Sequence, residues 1–455
     1  MPSRPSASAL ALVAALTLMP AAPGPAHAQS APSAEERRIA AQVTAHADDA
    51  VAFLRRVVDV NSGTGNLRGV REVGRLFAAE LDSLGFTTRW IAMPDSMRRA
   101  GHLFAERAPA RGTKGRGKRL LLIGHLDTVF EEDSPFQRFV RDGERARGPG
   151  VSDMKGGDVV ILYALKALAA AGALDGTTIT VAFTGDEEDP GQPLAVARRD
   201  LVEAAKRSDV ALEFETAVRD APADGAGASP REYATVARRS ASGWTLRTTG
   251  VASHSSALFT DRVGSGAIFE AARILDEMHR ELRGERYLTF NPGAIVGGTA
   301  VSWDEAHARG AASGKSNVVA ERALVTGDLR TISDEQLARA RERMRAIAAR
   351  HLPGTSAELT FEDGYPAMPP TAANRALLDT LNAVNRALGF PAQEALDPGR
   401  RGAADVSFVA PYVSAALAGL GVHGSGAHTV EETADLATMP TQIARAAVLI
   451  YRLTR

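Results

Sequence analysis

Apolar residues follow two alternating patterns along the first half of the chain. Short uninterrupted apolar or β-branched runs, typical of buried parallel strands, occupy residues 120–124, 178–183 and 210–214. In other stretches, at 70–84 and 159–171, apolar residues recur at helical spacing. This alternation of strand and helix predicts an α/β unit built on a largely parallel sheet.

Beyond Ser240 the pattern changes. A strand is followed by a long helical stretch at 264–282, by further strands near Ala294 and Leu324, and by a helix that begins after Ser333. A glutamine three residues after Ser333 gives the spacing of a capping box, which satisfies free N–H groups at the start of a helix. Strands and helices mixed in this way indicate a smaller α+β unit.

These patterns divide the chain into an α/β domain and an inserted domain. Residues 34–239 and 354–455 are assigned to the two parts of the α/β domain, and residues 240–353 to the insertion. A chain of 455 residues exceeds the usual length of one domain, so two domains are the expected number.

The N-terminus has the pattern of an export signal. Arg4 precedes an apolar run at 9–19 that is too short to span a bilayer, and Ala26-His27-Ala28 has the small-x-small form of a signal-peptidase site. We therefore expect residues 1–28 to be removed and the mature protein to be periplasmic or secreted. A retained anchor is the alternative.

Charge and composition narrow the classes of function. The 53 Lys and Arg residues nearly balance the 54 Asp and Glu residues, and the net charge of -1 gives no reason to expect nucleic acid or an anionic membrane as a partner. The chain contains no cysteine, which excludes cysteine ligands and a cysteine nucleophile. Any metal must therefore be held by histidine and carboxylate side chains.

Residues that bind zinc well stand at the ends of predicted strands or in the loops after them. They are His125, Asp153, Glu188, Glu215 and His428. Because open α/β sheets bind ligands at the carboxyl ends of their strands, we expect these side chains to lie close together. Each motif alone would also fit an ordinary loop, but together they indicate a two-metal hydrolase site.

Two further residues fit supporting roles beside these ligands. Asp127 follows His125 by two residues on the same side of an extended chain, and suits the carboxylate that orients a zinc-bound histidine. Glu187 stands next to Glu188 and offers a general base beside a metal ligand, as metal-assisted hydrolysis requires.

Two alternatives concern neighbouring residues of the same types. Glu213 lies on the same strand face as Glu215, so it stays a candidate for the site. His423 precedes His428 by five positions, and we prefer His428 because it closes the glycine-rich loop.

Five motifs in one order resemble a known family. GHLDTV, GPGVSDMKGG, GDEE, the FE of DVALEFE, and GAHT are similar to motifs of the glutamate carboxypeptidase and aminoacylase family of co-catalytic zinc peptidases, over nearly the whole mature chain. The resemblance implies an α/β, phosphorylase/hydrolase-like zinc peptidase domain with an inserted α+β, ferredoxin-like lid that pairs two chains into a homodimer. It also implies two Zn²⁺ per chain, with Co²⁺ or Mn²⁺ as substitutes.

The resemblance assigns a role to each candidate ligand. Asp153 would bridge the two ions, and Glu187 would be the general base. The remaining ligands form one pair on each ion, namely His125 with Glu215, and Glu188 with His428.

The lid of that family also has counterparts in this chain. GVASHS resembles the motif that presents a histidine to the substrate, which would be His254, and in relatives with this lid the histidine reaches the site of the partner chain. Asn317 in SNVVAE resembles the family's Asn-Val-Ile-Pro stretch, and Arg330 in GDLR its Asp-x-Arg. The resemblance implies that these residues bind the substrate.

The family's carboxylate-binding arginine has no ungapped counterpart. Gly399 takes its place, and Arg400 or Arg401 would substitute for it in a shifted loop. Strict carboxypeptidase specificity depends on that substitution.

The leading functional hypothesis is hydrolysis of an amide bond beside a free carboxylate, in a peptide or an N-acyl amino acid. A carboxypeptidase is preferred, because Glu215, rather than aspartate, resembles the carboxypeptidase and aminoacylase branches. The alternatives are an N-acyl-amino-acid deacylase and a dipeptidase. A hypothesis from a different class is a metal-bound peptide-binding protein without turnover, against which the presence of Glu187 argues.

Overall fold

The elements of the fold are defined in a computed structural model that describes residues 31–109, 112, 114–220, 230–305 and 307–455. Its strands, numbered along the chain, are β1 Thr87–Ile91, β2 His102–Arg107, β3 Arg119–His125, β4 Val140–Asp142, β5 Arg145–Arg147, β6 Thr178–Thr184, β7 Val210–Glu213, β8 Val218–Asp220, β9 Arg231–Ala234, β10 Ala241–Gly250, β11 Thr289–Gly298, β12 Ala300–Asp304, β13 Arg309–Ser313, β14 Arg322–Arg330, β15 Thr355–Tyr365, β16 Gln393–Ala395, β17 Ala415–Leu417, β18 Gly424–Ser425 and β19 Thr433–Asp435. Its α-helices are α1 Ala34–Ala45, α2 Ala47–Val58, α3 Leu67–Ser83, α4 Lys155–Ala170, α5 Leu194–Ala197, α6 Arg199–Lys206, α7 Ala267–Leu282, α8 Asp334–Ala348, α9 Ala372–Leu388, α10 Val406–Val409 and α11 Met439–Leu453.

A six-stranded sheet with the order β1-β2-β6-β3-β7-β17 forms the centre of the larger unit. Strands β6, β3, β7 and β17 run parallel, and β2 and β1 continue the sheet antiparallel. The α/β prediction is confirmed, and the predicted strands at 120–124, 178–183 and 210–214 are β3, β6 and β7.

Strand β3 shows why its sequence is an unbroken apolar run. Leu120 and Leu122 pack into the core that contains α4 and α11, whereas Leu121 and Ile123 pack into a second core with residues of α6 and α10. Successive side chains of a strand point to opposite faces, so helices on both faces bury every position.

A smaller four-stranded antiparallel sheet, ordered β11-β14-β10-β15, carries α7 and α8 on one face. Both helices were predicted. The Ser333 side chain accepts a hydrogen bond from the Gln336 N–H at 3.2 Å, as expected of a cap. The Gln336 carboxamide oxygen, however, accepts from the N–H of Ile332, one residue before the position that a capping box requires.

The structure differs from the boundary set at residue 354. Strand β15 pairs with β10 in the smaller sheet, from Thr355 opposite Gly250 to Tyr365 opposite Ala241. The chain therefore leaves the smaller sheet only after Tyr365. In the structure, Leu359 of β15 packs against the core of the smaller unit. The alternating sequence of β15 predicts a strand but fits either sheet equally well.

The predicted export signal, with residues 1–28, lies outside the described residues. In the part of the chain that is described, no helix is both long enough and apolar enough to cross a membrane.

Candidate metal centre

The candidate ligands come together at the carboxyl ends of the central parallel strands. His125 is the last residue of β3, Glu188 lies in the loop after β6, and Glu215 follows β7 by two residues. These three strands are neighbours in the sheet. Loops supply the other two ligands, since Asp153 lies two residues before the start of α4 and His428 lies between β18 and β19.

Asp153 stands between two histidines. Its Oδ1 is 3.4 Å from His125 Nε2, and its Oδ2 is 3.2 Å from His428 Nε2. Each histidine also faces a glutamate, because His125 Nε2 is 3.7 Å from Glu215 Oε1 and His428 Nε2 is 3.1 Å from Glu188 Oε2. The two oxygens of one aspartate thus point toward two separate histidine and glutamate pairs.

The donor atoms fit a divalent metal. His125 Nε2 is buried without a hydrogen-bond partner among the described residues, an arrangement that costs free energy unless another ligand is present. Two sets of donor atoms, each within 4.8 Å of one another, contain this histidine: His125 with Asp153 and Glu188, and His125 with Glu187 and Glu215. Nitrogen and carboxylate oxygen are the ligands that zinc accepts in the absence of cysteine.

Electrostatics also favour a cation at this point. Burial raises the pKa of Glu188 to about 7 and that of Glu187 well above its usual range, and neighbouring carboxylates add to both effects. Burial opposes ionisation of Asp153 as well, but hydrogen bonds from His125 and His428 hold its pKa below the usual value. A bound cation would favour the charged form of all three carboxylates.

The two histidines differ in access to solvent. The His125 side chain is 2% exposed, whereas that of His428 is 57% exposed. His428 also has a positive φ of 64°, a backbone conformation that is uncommon for a residue with a side chain and that recurs at functional sites. The cluster is therefore open to solvent on the side of His428.

Asp127 holds the loop that carries the predicted base. Its buried carboxylate accepts hydrogen bonds from the N–H groups of Glu187 and Glu188, both at 3.1 Å, and from Thr64 Oγ1 at 2.6 Å. His125 Nδ1 lies 3.1 Å from the main-chain carbonyl of Asp127 and 3.4 Å from its carboxylate. Both parts of Asp127 therefore orient His125, and its carboxylate additionally fixes the main chain at Glu187.

Sequence reasoning gave no role to Glu432, which holds the Asp153 loop. This buried carboxylate accepts hydrogen bonds from the N–H groups of Gly150, Ser152 and Asp153 at 3.0, 2.8 and 2.9 Å. The only sequence signal is its position four residues after His428, in a loop distant along the chain from Asp153.

Neither alternative residue joins the cluster. Glu213 forms an ion pair with Arg238 at 2.9 Å and accepts a hydrogen bond from the Val406 N–H at 2.7 Å. His423 is buried, with its Nε2 atom 3.8 Å from Glu232. Both are accounted for by contacts away from the candidate ligands.

His254 and Asn317 lie side by side in the smaller unit. The Ser255 N–H donates to the Asn317 carbonyl at 2.8 Å, and His254 Nδ1 is 2.8 Å from Ser256 Oγ. His254 is exposed. Over the residues that the structure describes, neither its hydrogen bonds nor its ion pairs reach the five candidate ligands.

The structure separates the two candidate arginines of the PGRRGAAD loop. Arg400 forms an exposed ion pair with Asp220 at 2.6 Å. Arg401 donates to the Thr216 carbonyl, and its buried Nε has no partner among the described atoms. Thr216 is the residue after Glu215, so this bond places Arg401 beside the candidate ligands. Burial and the neighbouring Arg238 lower the pKa of Arg401, while the charges of Glu215 and Asp153 oppose the shift.

Arg330 of the smaller sheet lies near this loop. It ends β14, and its Nε donates to Asp328 at 2.8 Å. Its Nη1 atom is 3.9 Å from the position that a Cβ on Gly402 would occupy. An arginine of the smaller sheet thus lies next to the segment that follows Arg401.

Comparisons with known proteins agree with the fold and the motifs. A family model described as peptidase family M20/M25/M40 matches residues 121–452. Carboxypeptidase G2 of Pseudomonas sp. (strain RS-16) is 29% identical over 417 residues, which cover 89% of this chain and 89% of that protein.

Two solved structures share the fold at low identity. Aminopeptidase PepT from Bacillus cereus is 14% identical with a TM-score of 0.67, and the alignment covers 90% of this chain and 99% of that one. The YXEP protein of Bacillus subtilis, described as a dinuclear metal-binding peptidase, is 15% identical with a TM-score of 0.62, covering 90% of this chain and 99% of that one.

Proposed function

Because the chain belongs to peptidase family M20/M25/M40, we propose that it is a dizinc carboxypeptidase-type hydrolase, which cleaves the amide bond of a peptide or N-acyl amino acid next to a free carboxylate. The observation that carries the proposal is the position of Asp153, whose two oxygens face His125 and His428 separately. One zinc ion would be held by Asp153, His125 and Glu215. The other would be held by Asp153, Glu188 and His428.

The bound ions would supply positive charge that polarises the scissile carbonyl and acidifies a nearby water. Glu187 is the proposed general base. Its carboxylate lies within 4.8 Å of the donor atoms of His125 and Glu215, and the next residue, Glu188, is a proposed ligand of the second ion. The Glu187 carboxylate would take a proton from the attacking water and transfer it to the leaving nitrogen.

Arg401 is the proposed partner of the substrate's free carboxylate. Arg401 is half-buried beside Glu215, and its Nε has no hydrogen-bond partner among the described residues, so it has hydrogen-bonding capacity to offer an anion. Arg400 is already paired with Asp220, so it is the weaker candidate. Arg330 and Asn317 of the smaller unit are proposed to complete the substrate contacts.

The proposed homodimer is supported by apolar surface on the smaller unit. Strand β11 is at the edge of its sheet, and Ile295 on that strand is 56% exposed. Ile268 and Phe269 at the start of α7 are 47% and 53% exposed. Exposed apolar residues on and beside an edge strand are typical of a protein interface. Pairing of two such surfaces would allow His254 to reach the partner's metal centre, where it would bind the developing oxyanion.

Cleavage of the N-terminal signal and export to the periplasm or the exterior remain part of the proposal. Deacylase and dipeptidase activities are the alternatives, since they use the same chemistry. The similarity to carboxypeptidase G2 favours carboxypeptidase activity.

A substrate panel tests the function. The purified, zinc-loaded protein would be assayed against N-acyl amino acids and dipeptides, each paired with its C-terminal amide. We expect turnover of the free acids and loss of turnover with the amides, because the amide lacks the charge that Arg401 would bind. Equal turnover of acid and amide would contradict the carboxypeptidase-type proposal, and binding of zinc without any turnover would favour the peptide-binding alternative.

A further inference from the structure

A buried ionic network lies behind the loop of the proposed base. The Arg198 guanidinium stands between two carboxylates, with Nη1 2.6 Å from Asp186 Oδ1 and Nε 2.6 Å from Asp405 Oδ1. All three residues are at most 2% exposed. The remaining carboxylate oxygens accept from the Gly191 N–H and from Thr184 Oγ1, at 2.9 and 2.6 Å. The charges are therefore paired and hydrogen-bonded, as burial requires.

Tyr365 connects this network to the main chain of Glu187. Arg198 Nη2 donates to the Tyr365 hydroxyl at 3.1 Å, and the hydroxyl donates to the Glu187 carbonyl at 2.8 Å. Burial, reinforced by the nearby Glu187, raises the pKa of Tyr365, so the hydroxyl keeps its proton. The ring packs edge-on against Phe408, with ring centroids 4.9 Å apart, which restricts its direction.

The peptide groups on both sides of Glu187 are thus held by side chains. Asp127 accepts from its N–H at 3.1 Å, and Tyr365 donates to its carbonyl at 2.8 Å. Fixing the main chain limits the directions in which the Glu187 carboxylate can point. A displacement of about 1 Å at a reacting group is enough to slow catalysis substantially.

Tyr365 is also the last residue of β15, where the chain leaves the smaller sheet. Close by, the segments that enter and leave this sheet are bonded to each other, with Arg238 and Met368 exchanging N–H to carbonyl hydrogen bonds of 2.9 and 3.0 Å. The contact with Glu187 therefore comes from the junction between the two units.

We propose that Arg198 and Tyr365 are positioning residues for Glu187, which hold the base in its reactive orientation from the junction with the smaller sheet. This inference rests on the proposed role of Glu187 as general base. Neither Arg198 nor Tyr365 is needed to hold metal, because the close contacts of the five candidate ligands are with one another and not with these two side chains.

The first variant is Tyr365→Phe, which removes one hydroxyl and keeps the ring. We expect kcat to fall about 5-fold to 10-fold, the usual net value of one hydrogen bond, while KM and zinc content stay unchanged. The assay uses the N-acyl amino acid of the substrate panel that the zinc-loaded full chain hydrolyses fastest. Tyr163→Phe is the matched control, because its hydroxyl donates to the Asp49 carbonyl at 2.8 Å, in the helical layer. It should leave kcat unchanged.

The second variant is Arg198→Lys, which keeps a positive charge but cannot bond both carboxylates and the tyrosine at once. We expect a lower kcat with unchanged KM. Arg445→Lys is the control, since Arg445 is equally buried and paired with Glu232 and Asn385. It should change thermal stability to a similar extent without changing kcat.

A double-mutant cycle with Glu187→Gln separates positioning from a general structural role. If Tyr365 acts through the base, Tyr365→Phe should lower kcat in the parent protein but change it by less than about 2-fold in the Glu187→Gln background. An equal loss in both backgrounds would overturn the positioning role.

The same cycle distinguishes failure of this inference from failure of the proposed function. If Glu187→Gln is nearly inactive and Tyr365→Phe has the parent kcat, only the positioning role is overturned. If Glu187→Gln has near-normal turnover, the base assignment itself is wrong and the inference fails with it.

Discussion

His125 and His254 are held in opposite ways by the two units of this peptidase. His125 ends a buried strand, with one ring nitrogen fixed by Asp127 and the other aimed at Asp153 and Glu215. His254 is exposed, and its side-chain contact is with Ser256, two residues away. A residue that binds metal within one chain must be preorganised by that chain. A residue that acts only after assembly can remain on the surface until its partner arrives.

The same difference appears in the loops around each histidine. Buried carboxylates, Glu432 and Asp127, hold the Asp153 loop and the Glu187 loop through main-chain N–H groups. The His254 segment is held instead by main-chain bonds to Asn317 and Val319 and by a long contact of 3.4 Å between Arg262 and the Ser253 hydroxyl, with no buried carboxylate among these contacts of the described residues. We therefore expect substitutions at the metal centre to lower activity whether or not two chains associate. The effect of substitutions at His254 should depend on that association.

Among these substitutions, Glu187→Gln should lower activity most. The variant should keep its zinc, because Glu187 is not a proposed ligand, and should lose about 10²-fold to 10⁴-fold in kcat, the usual contribution of general acid-base catalysis. Zinc content by metal analysis and turnover would be measured on the same sample. Near-normal turnover would be incompatible with the assignment.

The next effect concerns His254. His254→Ala should lower kcat by about 10²-fold to 10³-fold, the loss typical of one oxyanion donor, without changing zinc affinity. His46→Ala is the matched control, as His46 is also exposed and pairs with a neighbouring residue, Asp49.

Subunit exchange decides whether His254 acts in the partner's site. If His254 acts in the partner's site of a homodimer, a mixed dimer of His254→Ala and Glu187→Gln would contain one site with both residues intact, so mixing the two nearly inactive variants should restore activity. No recovery, despite demonstrated exchange, would indicate a monomer or closure within one chain.

Asp127→Ala should have a smaller effect on metal than loss of a ligand. Zinc affinity should weaken by about 10-fold to 100-fold, as for other residues that orient a ligand. Because Asp127 also holds the Glu187 and Glu188 N–H groups, kcat should fall even at saturating zinc. A variant that recovers full kcat with excess zinc would show that Asp127 orients His125 only.

Substitutions of Arg401 and Arg400 should differ in their effect on KM. Arg401→Met should raise KM by about 10-fold to 100-fold, since a hydrogen bond to a charged group is lost. Arg400→Met, which breaks only an exposed ion pair, should leave KM within about 2-fold. Equal effects of the two substitutions would remove the distinction between them.

The sequence was most informative where a feature is formed by residues that are close together in the chain. The apolar runs predicted β3, β6 and β7, and the candidate ligands could be chosen because each lies in a short motif next to such a strand or in a glycine-rich loop. The α/β class and the family followed from these motifs and are confirmed.

The remaining features depend on contacts between distant parts of the chain. Glu432 bonds to Asp153, and Tyr365 to Glu187, across 279 and 178 positions. At such separations along the chain, no sequence motif links the two residues of either contact. The pairing of β15 was missed for the same reason, because strand alternation identifies a strand but not the sheet that it joins.

Diffraction from crystals of the zinc-loaded protein, measured at the zinc absorption edge, would show whether Asp153 joins two metal ions. We expect two anomalous peaks per chain, one next to Asp153, His125 and Glu215 and the other next to Asp153, Glu188 and His428. Asp153→Ala should lose at least one of them. One peak in the parent protein, or two unchanged peaks in Asp153→Ala, would contradict the bridging role of Asp153.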